Sequence, residues 1–160
     1  MKRLVARVSI SKITNALSAE QYAGTPIVIN KIYLSNVAGD RLYSGASVPS
    51  LWLNMSGSFS DCPGLLSDSG ISASIADGSS YTTPHYYYCY PNPTAEDSTA
   101  EIWSPRFTRL VVEASILGKT YYYPVSIGNI EQNHTYDIEE LIITRLGSDD
   151  PDVPVSAGTI

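Results

Sequence analysis

Residues Leu110–Ile127 read LVVEASILGKTYYYPVSI, two apolar-rich runs meeting at Gly118-Lys119. A two-residue loop with glycine first suits a type II′ turn, which predicts Leu117 opposite Thr120 and Ile116 opposite Tyr121. Counting outward pairs Ala114 with Tyr123, Val112 with Val125 and Leu110 with Ile127. On that register Leu110, Val112, Ala114, Ile116, Tyr121, Tyr123, Val125 and Ile127 form one apolar face. Glu113, Ser115, Thr120, Tyr122 and Ser126 form the other, with Val111 and Leu117 as exceptions. A hairpin with one dry face needs a second sheet to cover it. Pro124 has no N–H to give to a ladder, so it reads as an edge position, a bulge or a crossing between sheets.

Outward from the hairpin, Leu4–Ile10 alternates Leu4, Ala6, Val8 and Ile10 against Val5, Arg7 and Ser9, a half-buried strand. Residues 27–34 (IVINKIYL) and 85–90 (HYYYCY) read as further strands, the second ended by Pro91-Asn92-Pro93. A helical turn is expected around Ala19-Glu20-Gln21-Tyr22. In the last strand, 135–145 (TYDIEELIITR), Tyr136 and Ile138 share one parity while Leu141 and Ile143 share the other, which predicts a bulge at Glu139-Glu140. Residues 44–83 are rich in Ser, Gly, Asp and Pro and read as an irregular insertion broken by short strands or a helical turn. The expected organisation is one all-β sandwich over 1–146. An acidic, proline-containing linker and the start of a C-terminal strand then fill 147–160.

The chain has 160 residues and a net charge of −6, with 16% charged residues and 12 tyrosines. That length buries a sizeable core without metals or disulfides. The acidic balance and the lack of a basic cluster argue against nucleic acid as a partner. No apolar run is long enough for a transmembrane helix. The basic start Met1-Lys2-Arg3 is followed by an alternating segment rather than a continuous apolar one, so any export signal is expected upstream.

Five stretches resemble the fimbrillin-like subunits of Bacteroidales type V pili. They are RLVARVSI at 3–10, INKIYLSNVAGD at 29–40, YCYPNPT at 88–94, RLVVEASILGKTYYYPVSIGN at 109–129 and NHTYDIEELIITRLGSDDPDVPV at 133–155. The resemblance implies a transthyretin-like sandwich of about seven strands, the C-terminal domain of a lipoprotein precursor carried to the outer membrane and built into a fimbrium. It also implies removal of an N-terminal segment by an arginine-specific protease, and assembly by donor strand exchange. Neither cysteine lies near residue 1, so the family's lipid anchor and protease site are not placed on these residues. For strand exchange the candidate interface is Val8 and Ile10 on the first strand and Leu141 and Ile143 on the last, with the tail Val155–Ile160 as the donor or its start. Other pilus subunits are the expected partners, and a host protein or glycan is a further one.

Other residues carry narrower readings. Tyr86, Tyr87, Tyr88, Tyr90 and Tyr121–Tyr123 read first as side chains that suit half-buried strands, with a sugar-stacking platform as the other reading. Trp52 is the candidate ligand contact of an adhesin that is not itself polymerised, and Trp103 reads as core. Cys62 and Cys89 are either one disulfide or two buried thiols, because sequence does not supply the distance a disulfide requires. His85 and His134 lack a nucleophile motif and read as structural, so no enzyme and no cofactor is expected. Asp149, Asp150 and Asp152 lack the spacing of a calcium loop and read as solvated linker. Asn54 and Asn133 begin glycosylation-type triplets to which no function is given.

Overall fold

The structure, a computed structural model, describes residues 5–39, 51–54, 66–92 and 107–151. Twelve strands are found among them: β1 (Ala6–Ile10), β2 (Ile13–Asn15), β3 (Ile27–Ser35), β4 (Val37–Ala38), β5 (Trp52–Leu53) and β6 (Ser67–Ile75), followed by β7 (Ser80–Tyr81), β8 (His85–Cys89), β9 (Thr108–Ile116), β10 (Lys119–Ile127), β11 (Thr135–Ile138) and β12 (Leu141–Ile143). One sheet has the order β10-β9-β3-β6. A second is built from two short ladders, β11-β1-β8 and β12-β2-β7, and β4 pairs with β5 in a small ribbon. The ladders of the second sheet continue each other through Ser11-Lys12, Glu139-Glu140 and residues 82–84, so each is one half of a three-stranded sheet broken at a common level. The protein is therefore an all-β sandwich, with four strands on three among the described residues.

The hairpin makes the four-stranded sheet. Lys119 faces Ile116, Tyr121 faces Ala114, Tyr123 faces Val112 and Val125 faces Leu110. This corrects the predicted pairing by two residues, because the loop is Leu117-Gly118 rather than Gly118-Lys119. Both loop residues have positive φ, 53° and 79°, as a type I′ turn requires. A shift of two keeps every side chain on its face, since strands alternate with period 2. Leu110, Val112, Ala114 and Ile116 are accordingly buried and meet Ile29, Ile32 and Leu34 of β3, then Val8, Ile10, Ile13 and Ile143 of the other sheet. Each fully buried aliphatic side chain contributes roughly 1.5–3 kcal/mol. Val111, the apolar exception on the outer face, is also fully buried, beside Tyr33 and an Arg109 of 0% exposure.

Leu117 is a β-turn residue in the left-handed region with 72% of its surface exposed. A leucine there costs about 1–2 kcal/mol relative to residues that favour this conformation. Leu117→Asn, which makes the Asn-Gly pair type I′ turns prefer, is expected to raise stability by about 1 kcal/mol in a urea titration without changing its slope.

Residues 67–75 differ from the expected irregular insertion: they are a nine-residue strand along β3. SDSGISASI carries little β-propensity, and Gly70 and Ser72 hold positive φ where the pairing with β3 shifts register. The strand is held by its ladder and by the burial of Ile75, with Ile71 and Ala73 packed against the core. The expected helical turn is a single 3-10 turn at Glu20–Tyr22. The parity switch in the last strand is the break between β11 and β12.

Candidate functional site: the edge between β10 and β12

The two long sides of the sandwich are finished differently. On one side β6 and β8, the edge strands of the two sheets, are tied by side chains. Nδ1 of His85 lies 2.7 Å from an Asp68 carboxylate oxygen, Nε2 lies 2.8 Å from the Tyr81 hydroxyl, and the Tyr87 hydroxyl donates to that same Asp68 oxygen at 2.8 Å. The Tyr87 hydroxyl shares that one proton with the Ile32 carbonyl, 3.0 Å away, so its ring is clamped beneath β3. His85 thus has a structural place between the sheets. His134 is exposed near Glu131.

On the other side the edges are β10 and β11–β12, and a groove of about 320 Å³ separates them, lined by Tyr123, Pro124 and residues 141–145. In the hairpin register Thr120, Tyr122, Pro124 and Ser126 turn their backbone groups away from β9. The outer edge of β10 is guarded at two of these. Pro124 has no N–H, which makes the edge reading of this proline the one that applies. Tyr122 exchanges both backbone bonds with Ser148, at 2.8 and 2.9 Å. The chain after β12 therefore crosses from one sheet to the other. Residues 147–148, read from sequence as the start of a solvated linker, lie against β10, and Lys119 reaches Asp149 at 3.3 Å. The Tyr123 hydroxyl donates to the Arg145 carbonyl at 2.8 Å, and burial pushes its pKa up.

The β12 edge is different. β12 lies parallel to β2, with the Leu141 N–H on the Lys12 carbonyl and the Ala16 N–H on the Ile143 carbonyl. Alternation leaves the N–H and C=O of Ile142 facing outward, as it does those of Thr135 and Asp137 on β11, where Arg7, Ser11 and their neighbours hold His134 and Ile138. No described residue pairs with that outer row. Ile142 is 54% exposed, while Ile143 is buried and Leu141 half-buried. A strand edge that no described residue pairs, beside a gap lined by apolar side chains together with Thr144 and Arg145, has the form of a template for an added strand.

The candidate residues fall into three groups. Leu141 and Ile143 line the groove. Val8 and Ile10 do not reach it: they sit fully buried on the central strand of their sheet, paired on both sides. Val155 and Ile160 lie outside the described residues, as do Cys62, Trp103 and Asp152. Trp52 is half-buried on β5, opposite Ala38. Sequence reasoning read Pro124 as an edge, bulge or crossing and Tyr123 as a strand residue, but placed neither of them, nor the Ser148 bridge, at the candidate interface. Their signal was the proline in an apolar strand, which marked an edge.

Cys89 is a free, buried thiol. Burial pushes it up to about 12 from an ordinary value of 9.0. The unfolded chain releases this proton as pH passes about 9, and the folded one keeps it until about 12. Stability from this group is thus complete below pH 9 and declines between the two values. Urea titrations across that range are expected to show the decline, and Cys89→Ala to make it shallower.

No model of a known protein family matches the chain, and no curated protein sequence matches it. A solved structure does. It is that of a candidate cell adhesion protein from Parabacteroides distasonis, with a TM-score of 0.52 and 17% identity over 91% of this chain and 50% of that one. At this identity the likeness shows a shared fold, and the chain spans half the length of that protein. Among the described residues no helix is long and apolar enough to cross a membrane.

Proposed function

We propose that this domain is a structural or adhesive unit of a bacterial surface assembly, a fimbrillin-like pilus subunit, that joins its neighbour by accepting a strand on the β11–β12 edge. The observation that carries the reading is the outward backbone row at Thr135, Asp137 and Ile142 beside the groove between β12 and β10. An incoming strand pairs with that row and turns alternate side chains into the space between Leu141, Ile143, Tyr123 and Pro124. Three such side chains contribute ~1.5–3 kcal/mol each before ordering costs, beside the main-chain hydrogen bonds of the added strand. Repeated head to tail, the contact grows a filament rather than a closed ring. The adhesion protein of the same fold supports a place at the cell surface. The role is one of assembly and not catalysis.

The edge gives a specific test. The Ile142 N–H faces outward, so Ile142→Pro removes a donor that no described residue uses and that an added strand needs. A synthetic peptide of residues 153–160 (VPVSAGTI) is expected to bind the domain saturably in fluorescence anisotropy and to bind Ile142→Pro at least tenfold more weakly. Absence of binding, or equal binding to both, contradicts this reading.

A further inference from the structure

The outer face of the three-stranded sheet carries aromatic surface that the strand-acceptor edge does not use. β8 is an edge strand, and alternation sends Tyr87 and Cys89 inward and Tyr86 and Tyr88 outward, followed on the same side by Tyr90. Tyr86 and Tyr88 are 50% and 55% exposed, and Tyr90 37%. A monomeric sheet seldom leaves three large rings in a row open to water without a use for them.

What surrounds the rings says what suits them. Across the strands, Tyr88 stands beside Arg7 and then Thr135, and Tyr86 beside Ser9 and then Asp137. The Arg7 guanidinium lies over the Tyr86 ring, 5.1 Å from its centroid, which steadies that ring. Ser9 and Ser11 donate to one oxygen of Asp137, at 2.9 and 3.1 Å, leaving the other open to a further donor. No Leu, Ile or Val interrupts these two rows. A partner with an aliphatic surface would find the charged groups of Arg7 and Asp137 and the Thr135 hydroxyl beside the rings. A sugar ring, with C–H bonds on its face and hydroxyls around its rim, meets the rings with the one and the polar groups with the other. Tyrosine supplies such contact at a small entropic cost, because only two side-chain torsions are fixed. Arg7 and Asp137 cancel within the face, and the chain as a whole carries −6, so an acidic polymer is disfavoured.

We infer that the outer face built by Tyr86, Tyr88 and Arg7 is a binding platform for a neutral, pyranose-containing glycan. It is centred on β8 and β1 on the exposed face of the sheet, apart from the groove at β12, and meets the acceptor edge only at Thr135 and Asp137.

Affinity electrophoresis of the full chain tests this. The gels contain soluble starch, hydroxyethyl cellulose, laminarin, galactomannan or xylan, with polygalacturonate as the acidic comparison. The platform predicts retardation by at least one neutral polysaccharide, little changed by 0.5 M salt, and an affinity at least tenfold lower in Tyr86→Thr/Tyr88→Thr. Threonine keeps the strand preference of these positions, and a thermal melt checks that the fold is retained. Tyr86→Phe/Tyr88→Phe keeps the stacking surface and is expected to stay within a few-fold of the parent. Trp52→Ala is expected to leave retardation unchanged. The inference is overturned if no neutral polysaccharide retards the chain, if only polygalacturonate does, if the double threonine variant is retarded as strongly as the parent, or if Trp52→Ala abolishes the effect.

Discussion

Asn15→Leu is expected to destabilise the domain strongly and to leave it partly unfolded at 37 °C. Asn15 is 0% exposed on β2, and its side-chain amide donates to the Thr25 and Ile75 carbonyls, at 2.9 Å each. Its side-chain oxygen lies 3.4 Å from the Leu17 N–H. One side chain thus ties the three-stranded sheet to the end of β6 and to the chain entering β3. Leucine fills a similar space but donates nothing. Each carbonyl left without its donor in a dry interior costs roughly 1–3 kcal/mol, against a total stability of about 5–15 kcal/mol for a domain. Asn15→Asp is expected to be worse, since a carboxylate would face two carbonyl oxygens. Urea titration followed by tyrosine fluorescence measures both variants, and a loss below about 1 kcal/mol would contradict this account of the tie.

The second large effect is expected at Gly147. A Cβ at this position would stand 2.6 Å from the Tyr122 carbonyl oxygen, 3.0 Å from the Tyr123 ring and 3.1 Å from the Tyr121 Cβ. The first of these is a backbone oxygen of β10, a strand fixed by its ladder to β9, so the crossing segment must give way instead. Gly147→Val therefore forces the crossing segment off β10, removing the Ser148 bonds to Tyr122 and the seat of Tyr123 on Arg145. Overpacking of this kind typically costs about 1–3 kcal/mol. The more informative consequence is local. With its guard gone, β10 presents an apolar-flanked free edge, and such edges associate. Light scattering is expected to show concentration-dependent aggregation in Gly147→Val that Gly147→Ala shows to a lesser degree and the parent does not.

Much of this architecture is legible in the sequence because it rests on alternation. The hairpin faces, the half-buried first strand and the break at Glu139-Glu140 all follow from which parity carries apolar side chains. Moving the turn from Gly118-Lys119 to Leu117-Gly118 changed every partner and no face. The turn itself was misread because its first residue is a leucine at a φ that leucine seldom adopts, which no composition rule anticipates. β6 was hidden for a related reason: its serines and glycine have little strand preference, and its place depends on the ladder offered by β3. The edge proposed as the acceptor was half legible. Leu141 and Ile143 stood out as apolar positions near the end of the chain, whereas Val8 and Ile10, which look the same in sequence, are enclosed on a central strand. Strand order across a sheet distinguishes the two pairs, and strand order is not written in local pattern. The Ser148 bridge, in a run of glycine, serine and aspartate, gave no signal because its partner lies in another sheet and only backbone atoms make the contact.

The central claim is that the β12 edge stands open in the isolated domain and closes when a strand is added. Residue-resolved amide hydrogen exchange tests it most directly. In the free domain the Ile142 N–H is expected to exchange orders of magnitude faster than those of Leu141 and Ile143, which point to β2. Addition of the 153–160 peptide is expected to slow Ile142 while leaving its two neighbours unchanged. An Ile142 N–H already as protected as Leu141 in the free domain, or one that the bound peptide does not slow, would contradict the claim.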